Sequence, residues 1–91
     1  MDVHVQLFSI LRECLPEGSQ RGRGIIALQE GSRLRDLFDA LNLKRCLSDG
    51  KDFAEQLDSW QISLNGEFLD DIDIVLEEGD QVIVFPHMAG G

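Results

Sequence analysis

The sequence predicts an α+β roll, in which one main helix packs across a mixed sheet of about five strands. Short segments that alternate apolar and polar residues recur along the chain, as is typical of strands with one buried face. One segment, 34–41, has helical spacing instead, and Asn65-Gly66 is the strongest two-residue hairpin signal in the chain. Two hairpins and a final strand can share one sheet, which the helix then covers.

Composition and net charge indicate a single folded domain and disfavour one class of partner. The chain has 91 residues, of which 43% are hydrophobic and 27% charged, and this predicts one folded domain at 1–86. The formal net charge of -9 disfavours binding to phosphate backbones. We therefore expect no nucleic-acid partner.

The hydrophobic pattern also bears on location. The apolar runs fall far short of the roughly 20 residues that a membrane helix needs. The start of the chain lacks the basic segment of a signal peptide. We expect a cytoplasmic protein with no membrane contact, in which Cys14 and Cys46 are reduced thiols.

The first two strands are predicted at 3–7 and 24–29, because apolar residues alternate with polar ones from Val3 to Leu7 and 24–29 is a mostly apolar run that follows a polar, glycine-rich turn. Between them, 8–15 changes to helical spacing and predicts a short helical turn that Pro16 ends. The two strands are expected to form an antiparallel hairpin.

The main helix is predicted from apolar residues at positions i, i+3, i+4 and i+7, namely Leu34, Leu37, Phe38 and Leu41. Ser32 occupies the predicted N-cap, and Asn42 lies near the end of the helix. A further short helix is predicted at 52–57.

The second hairpin is predicted from alternation at Trp60–Leu64, the Asn65-Gly66 turn and a returning strand at Glu67–Leu69. The next segment, 70–78, is acidic and irregular. Its apolar residues are predicted to close the open end of the core: Ile72, Ile74 and Leu76. A β-branched last strand follows at Gln81–Phe85.

Catalytic groups are sparse in the sequence. No glycine-rich phosphate loop is present, and His4 and His87 are far apart. His4 is predicted to face solvent. The carboxylates of Asp70, Asp71 and Asp73 lack the pattern of a calcium loop, so we interpret them as a solvated turn and expect no metal site.

The carboxyl terminus is the most distinctive feature. Pro86 withholds a ladder hydrogen bond after the last strand, and 87–91 is predicted to form a flexible Gly-Gly tail that can extend roughly 17 Å. Glycines at 90 and 91 could thread a narrow enzyme channel because they lack Cβ. The Gly91 carboxylate is a poor electrophile until it is adenylated, so a partner must supply the ATP chemistry.

Three sequence segments resemble the MoaD and ThiS family of ubiquitin-like sulfur carriers, and most closely its MoaD branch, the small subunits of molybdopterin synthases. They are Phe8-x-x-Leu11-Arg12-Glu13, Leu64-Asn65-Gly66, and Leu76-x-x-Gly79-Asp80-x-Val82-x-x-Phe85-Pro86 followed by Gly90-Gly91. His87 and Met88 replace a proline and a valine that the family often has. The resemblance implies a ubiquitin-like β-grasp, in which the last strand lies parallel to the first between the two hairpins.

The resemblance also implies a function. An E1-like, MoeB-like enzyme would use ATP to adenylate Gly91, and sulfur would then replace an oxygen to give a C-terminal thiocarboxylate. The carrier would dock on a MoaE-like large subunit, in a heterotetramer, and donate sulfur in molybdopterin (molybdenum cofactor) biosynthesis. The chain would be a non-catalytic subunit that binds no cofactor of its own.

A docking surface is predicted beside the tail. If Val82 and Val84 point into the core, Ile83 and Phe85 point outward. Phe8 is also expected to point outward, and Arg12 to add a polar contact. The remaining partner contacts are predicted in the tail, with Gly90 beside the reactive Gly91: Pro86, His87, Met88 and Ala89.

Three other functions are compatible with the sequence. The chain could be a ubiquitin-like modifier conjugated through Gly91 to protein lysines, since adenylation precedes both fates. It could instead be a ThiS-like carrier for thiamine or another sulfur-containing product. The third alternative is a β-grasp interaction module whose tail has no chemical role.

Overall fold

A computed structural model describes residues 1–8, 11, 15, 21–43, 60–69 and 71–86 of the chain. Its elements are β1 (Asp2–Leu7), β2 (Arg23–Ala27), α1 (Leu34–Leu41), β3 (Trp60–Leu64), β4 (Glu67–Leu69) and β5 (Gln81–Pro86). The strands form one sheet in the order β2-β1-β5-β3-β4, with β1 and β5 parallel and the other pairs antiparallel. This confirms the predicted α+β class and the β-grasp arrangement.

The first hairpin follows from the alternation in β1. Val3, Val5 and Leu7 are buried, and the residues between them face the other side of the sheet. β2 pairs with β1 from Arg23 to Ala27, so it starts one residue earlier and ends two residues earlier than predicted. Of the predicted helical turn at 8–15, the structure describes 8, 11 and 15, so that prediction lies mostly outside the described residues.

Helix α1 buries its four predicted residues, Leu34, Leu37, Phe38 and Leu41, against the inner face of the sheet. Asn42 ends the helix in the left-handed conformation with φ 52° and ψ 53°, which asparagine tolerates better than most residues. The short helix predicted at 52–57 lies outside the described residues. Within the described ranges, no helix is long and apolar enough to cross a membrane.

The N-cap of α1 is Arg33, one residue later than the predicted Ser32. The Arg33 backbone N–H donates to a carboxylate oxygen of Asp36 at 2.8 Å. Ser32 instead lies in a backbone network, because its N–H donates to Gln29 and its carbonyl accepts from Leu76. The long-range contact with Leu76 outweighs the N-cap preference of serine.

Segment 71–76 closes the core beside the start of α1. Its carbonyls satisfy two first-turn donors, since Leu34 N–H donates to Ile74 at 3.0 Å and Arg35 N–H donates to Ile72 at 2.7 Å. Ile72 and Leu76 are buried as predicted, whereas Ile74 is 38% exposed, so that part of the prediction is wrong. The carbonyls of both Ile72 and Ile74 bond to α1, but only the Ile72 side chain is buried.

The second hairpin turns at Asn65 and Gly66, whose φ angles of 52° and 90° are those of the tight turn that this pair favours. The Asn65 amide group donates from Nδ2 to Asp80 Oδ1 at 2.9 Å and accepts from Gln81 N–H at 2.9 Å. Asp80 Oδ2 also accepts the Glu77 N–H at 2.7 Å. The buried Asp80 thus joins the hairpin to the start of β5.

Replacing Asp80 with alanine is expected to lower the free energy of unfolding by about 1–3 kcal/mol, because Asn65 and Glu77 each lose an acceptor in a partly buried position. Urea unfolding measures the loss. The control is Asp71→Ala, since the exposed Asp71 carboxylate accepts one local hydrogen bond, from Asp73 N–H. Equal losses in the two variants would contradict a special role for Asp80.

Candidate functional site

Alternate residues of β5 divide between the two faces of the sheet. Val82 and Val84 are 1% and 0% exposed and lie in the core. Ile83 and Phe85 are half-buried and occupy the opposite, open face. This confirms the predicted orientation of all four side chains.

Three aromatic side chains meet on the open face. The Phe8 and Phe85 ring centroids are 6.3 Å apart at an interplanar angle of 84°, and those of Phe68 and Phe85 are 5.9 Å apart at 66°. Both are edge-to-face contacts, a favourable geometry for aromatic pairs. Phe8 is 40% exposed and Phe68 is 69% exposed, so the cluster lies at the surface.

Strand pairing explains why these rings converge. The backbone N–H of Phe8 donates to Val84 at 3.1 Å, which continues the parallel pairing of β1 and β5 to the position beside Phe85. Ser63 of β3 pairs with both Ile83 and Phe68. We call the resulting surface the aromatic patch, composed of Phe8, Phe68, Ile83 and Phe85.

Phe68 was not among the residues predicted for the docking surface. The alternation of Glu67-Phe68-Leu69, once paired through the Asn65-Gly66 turn, places Phe68 opposite Ser63 on the open face. That signal was present in the sequence. It becomes decisive only when β3 is known to pair with β5, because this pairing brings Phe68 to the same surface as Phe85.

The aromatic patch borders the root of the carboxyl-terminal tail. β5 continues through Pro86, which pairs with Trp60, so the strand ends one residue later than the predicted Phe85. Proline is compatible with this terminal position because it still supplies a carbonyl to a strand end. The predicted contacts at Arg12 and 87–89, and the reactive pair Gly90-Gly91, lie outside the described residues.

Titratable groups in the described residues are not gathered beside the patch. His4 is exposed on the open face, as predicted. Asp73 binds Arg35 at 3.0 Å, and this hydrogen bond lowers the pKa of Asp73 below its usual value. Across the part of the chain that the structure describes, no three histidine, cysteine, aspartate or glutamate side chains are grouped to hold a metal ion.

Comparison with known proteins relates nearly the whole chain to one family. The model of the ThiS family matches residues 5–91, a span that includes the aromatic patch and the Gly90-Gly91 pair. A search of curated proteins finds no match.

Solved structures share the fold. Small archaeal modifier protein 1 from Haloferax volcanii superposes with a TM-score of 0.68 at 22% identity, covering 100% of both chains. A Pyrococcus furiosus protein assigned as molybdopterin converting factor subunit 1 gives 0.64 at 26% identity, covering 97% of this chain and 99% of that one. A complex of subunits 1 and 2 of the molybdopterin-converting factor from Helicobacter pylori gives 0.53 at 21%, covering 100% of both chains.

Proposed function

This chain belongs to the ThiS family of MoaD-like, ubiquitin-like proteins, and on that premise we propose that it is a sulfur carrier that receives and donates sulfur at the carboxyl group of Gly91. The observation that carries the proposal is the aromatic patch at the root of the tail. A carrier must dock on an activating enzyme and on an acceptor enzyme. An exposed apolar surface next to the reactive tail suits both tasks.

The first step is activation of the tail by an E1-like, MoeB-like partner. The Gly91 carboxylate attacks the α-phosphate of ATP, and pyrophosphate leaves, which gives an acyl adenylate. A sulfur nucleophile held by the partner's sulfur-delivery system then attacks the carbonyl, and AMP leaves with the bonding electron pair. When that nucleophile is a persulfide, the product is an acyl disulfide. A second thiol of the delivery system then attacks the donor sulfur, the S–S bond to the acyl sulfur breaks, a disulfide forms on the delivery system, and the thiocarboxylate remains on Gly91.

The second step is transfer. The thiocarboxylate sulfur attacks an electrophilic carbon of the acceptor and displaces an oxygen leaving group from it, and water then cleaves the bond between that sulfur and the Gly91 carbonyl. The sulfur stays on the product and the carboxylate is restored, so the chain can be used again. Members of this family are in general carriers without catalytic activity of their own, and we assign the catalytic residues to the partners.

For the acceptor we propose the molybdopterin precursor, bound on a MoaE-like large subunit in a heterotetramer. The support is the 26% identity with the Pyrococcus furiosus protein over nearly the full length of both chains. The Helicobacter pylori structure pairs a protein of the same fold with a second subunit. Conjugation of Gly91 to lysines of other proteins is the second candidate, since it begins with the same adenylation.

Deleting Gly90 and Gly91 is expected to abolish adenylation by the E1-like partner and to leave stability unchanged. The deletion removes the nucleophilic carboxylate from its position, whereas the hydrogen-bonded sheet ends at Pro86. ATP–pyrophosphate exchange measures adenylation, and urea unfolding measures stability. The matched control is Ala89→Ser, which alters the tail but keeps both glycines. Undiminished exchange in the deletion variant would contradict the proposal.

The choice of acceptor is tested with the thiocarboxylate form and purified enzymes. Together with the candidate large subunit, it is expected to convert the precursor to the dithiolene product. Sulfur transfer to thiazole synthesis alone would overturn the molybdopterin assignment and retain the carrier. Isopeptide adducts on other proteins, with no thiocarboxylate, would favour the modifier.

A further inference from the structure

Among the residues that the structure describes, no strand pairs with the outer edge of β2, which presents backbone N–H and C=O groups. Met1 and Leu28 exchange two hydrogen bonds, of 2.7 and 2.8 Å, and Leu7 N–H donates to Gly22 at 2.8 Å. In an antiparallel ladder, hydrogen-bonded pairs alternate with pairs that are not hydrogen-bonded. These contacts therefore identify which residues of β2 are bonded to β1. The remaining residues of β2 therefore direct their N–H and C=O groups away from β1: Arg23, Ile25 and Ala27.

Among the described residues, this edge has neither a proline nor a bulge, two features that often protect an edge strand. β2 lies at one side of the sheet, contains no proline, and pairs with β1 without a bulge. Ile25, at its centre, is 57% exposed. Arg23 is the one charged residue in the strand. The N–H and C=O groups of Ile25 both point away from β1, so this β-branched residue can pair with a strand of another molecule.

We propose that the partner of this edge is a second copy of the chain, paired antiparallel through β2 about a two-fold axis at Ile25. In this register Ile25 faces its own counterpart, and Arg23 faces Ala27 of the second copy. Each of the three facing pairs can exchange two backbone hydrogen bonds, because the free groups lie at alternate residues. No like charges oppose each other within the strand pair.

The same register is favourable for the side chains. The two Ile25 side chains lie next to each other on the open face, where each covers apolar surface of the other. Gly24 faces Ile26 of the second copy on the helix side, and the absence of a Cβ at Gly24 leaves room for Ile26. A two-fold interface requires such self-complementarity of one surface.

The dimer does not involve the tail, so this inference does not depend on the proposed sulfur-carrier function. β5 is the second strand in from β2, which places it roughly 10 Å from the edge. The aromatic patch therefore stays exposed in both copies. A five-residue strand pair buries less than the roughly 1,200 Å² typical of stable interfaces. We expect a weak dimer that forms at high concentration.

Sedimentation equilibrium of the full chain, from about 10 µM to about 1 mM, tests the dimer, since weak interfaces dissociate in this range. The mass is expected to rise from 10.2 kDa towards twice that value. Ile25→Lys places two ammonium groups across the axis and is expected to weaken association by about tenfold or more. Ile25→Pro removes an N–H that is not hydrogen-bonded to β1, and it is also expected to weaken association. Circular dichroism verifies that each variant is folded.

Val75→Lys is the matched control, because Val75 is also β-branched, is 50% exposed, and gains the same charge away from β2. It is expected to associate as the unaltered chain does. Amide exchange adds a residue-level readout: Ile25 N–H should exchange rapidly in dilute protein and slow down as concentration rises.

Three results would overturn the proposal. The first is a monomer at every concentration, which would leave the edge to a strand of a different protein. The second is a dimer that forms equally well in the Ile25→Lys variant. This variant is expected to fold, because the Ile25 side chain is not part of the core. The third is equal weakening by Val75→Lys, which would make the effect one of net charge.

Discussion

Replacing Phe85 with aspartate is expected to leave a folded protein that binds the proposed activating and acceptor enzymes at least about 30-fold more weakly, a loss typical of a central aromatic in an interface. Phe85 contacts both Phe8 and Phe68, so it is the centre of the aromatic patch. Its half-buried position on the open face allows the carboxylate to reach water in the free protein. In the complex the same charge would be buried against an apolar partner surface.

Titration calorimetry with each purified partner measures the loss of affinity, and circular dichroism confirms the fold. Ile74→Asp provides the control, because Ile74 is 38% exposed and lies beside the start of α1 rather than on the patch. Its binding should match that of the unaltered chain. If Phe85→Asp unfolds, Phe85 contributes to the core; if it folds and binds normally, the docking surface is elsewhere.

The substitution one position earlier has the opposite expected outcome. Val84→Asp should unfold the protein, because Val84 is 0% exposed between β1 and β3 and a carboxylate there has neither water nor a partner. Substitutions of this kind cost more than about 4 kcal/mol. The whole free energy of unfolding of a domain is typically about 5–15 kcal/mol.

Thermal and urea unfolding followed by circular dichroism measure this effect. Val75→Asp makes the same chemical change at a position that is 50% exposed, and it is expected to change stability by less than about 0.5 kcal/mol. A cooperative unfolding transition of ordinary midpoint in Val84→Asp would show that the faces of β5 are assigned the wrong way round. The pair Val84→Asp and Phe85→Asp thus separates stability from docking on adjacent residues.

The elements with strong local signals were predictable from the sequence. Alternation in β1 and β5 identifies their buried faces, and the helical spacing of four apolar residues identifies α1. Asn65-Gly66 identifies the second hairpin, because asparagine and glycine adopt the positive φ angles that the tight turn requires. The parallel pairing of β1 with β5 came instead from the family resemblance.

Features that depend on long-range contacts were missed or misplaced. Ser32 has the better N-cap side chain, yet Arg33 occupies the N-cap position, and the Ser32 carbonyl accepts from Leu76 N–H. Ile74 is apolar but 38% exposed, and its carbonyl accepts from Leu34 N–H. Phe68 joins the candidate site only through the pairing of β4 with β3 and β3 with β5. None of these pairings is encoded in a short window of sequence.

The measurement that tests the central claim most directly is the mass of the terminal peptide in protein isolated from its native cell. The proposal predicts that one oxygen is exchanged for one sulfur, and that fragmentation places the change on Gly91. Oxidation of Met88 to the sulfoxide adds almost the same mass, so the position within the peptide is decisive. Alkylation of the terminal sulfur should then shift the Gly91 fragment alone. A terminal peptide that carries an unmodified Gly91 carboxylate while the activating enzyme and sulfur donor are active would contradict the sulfur-carrier function.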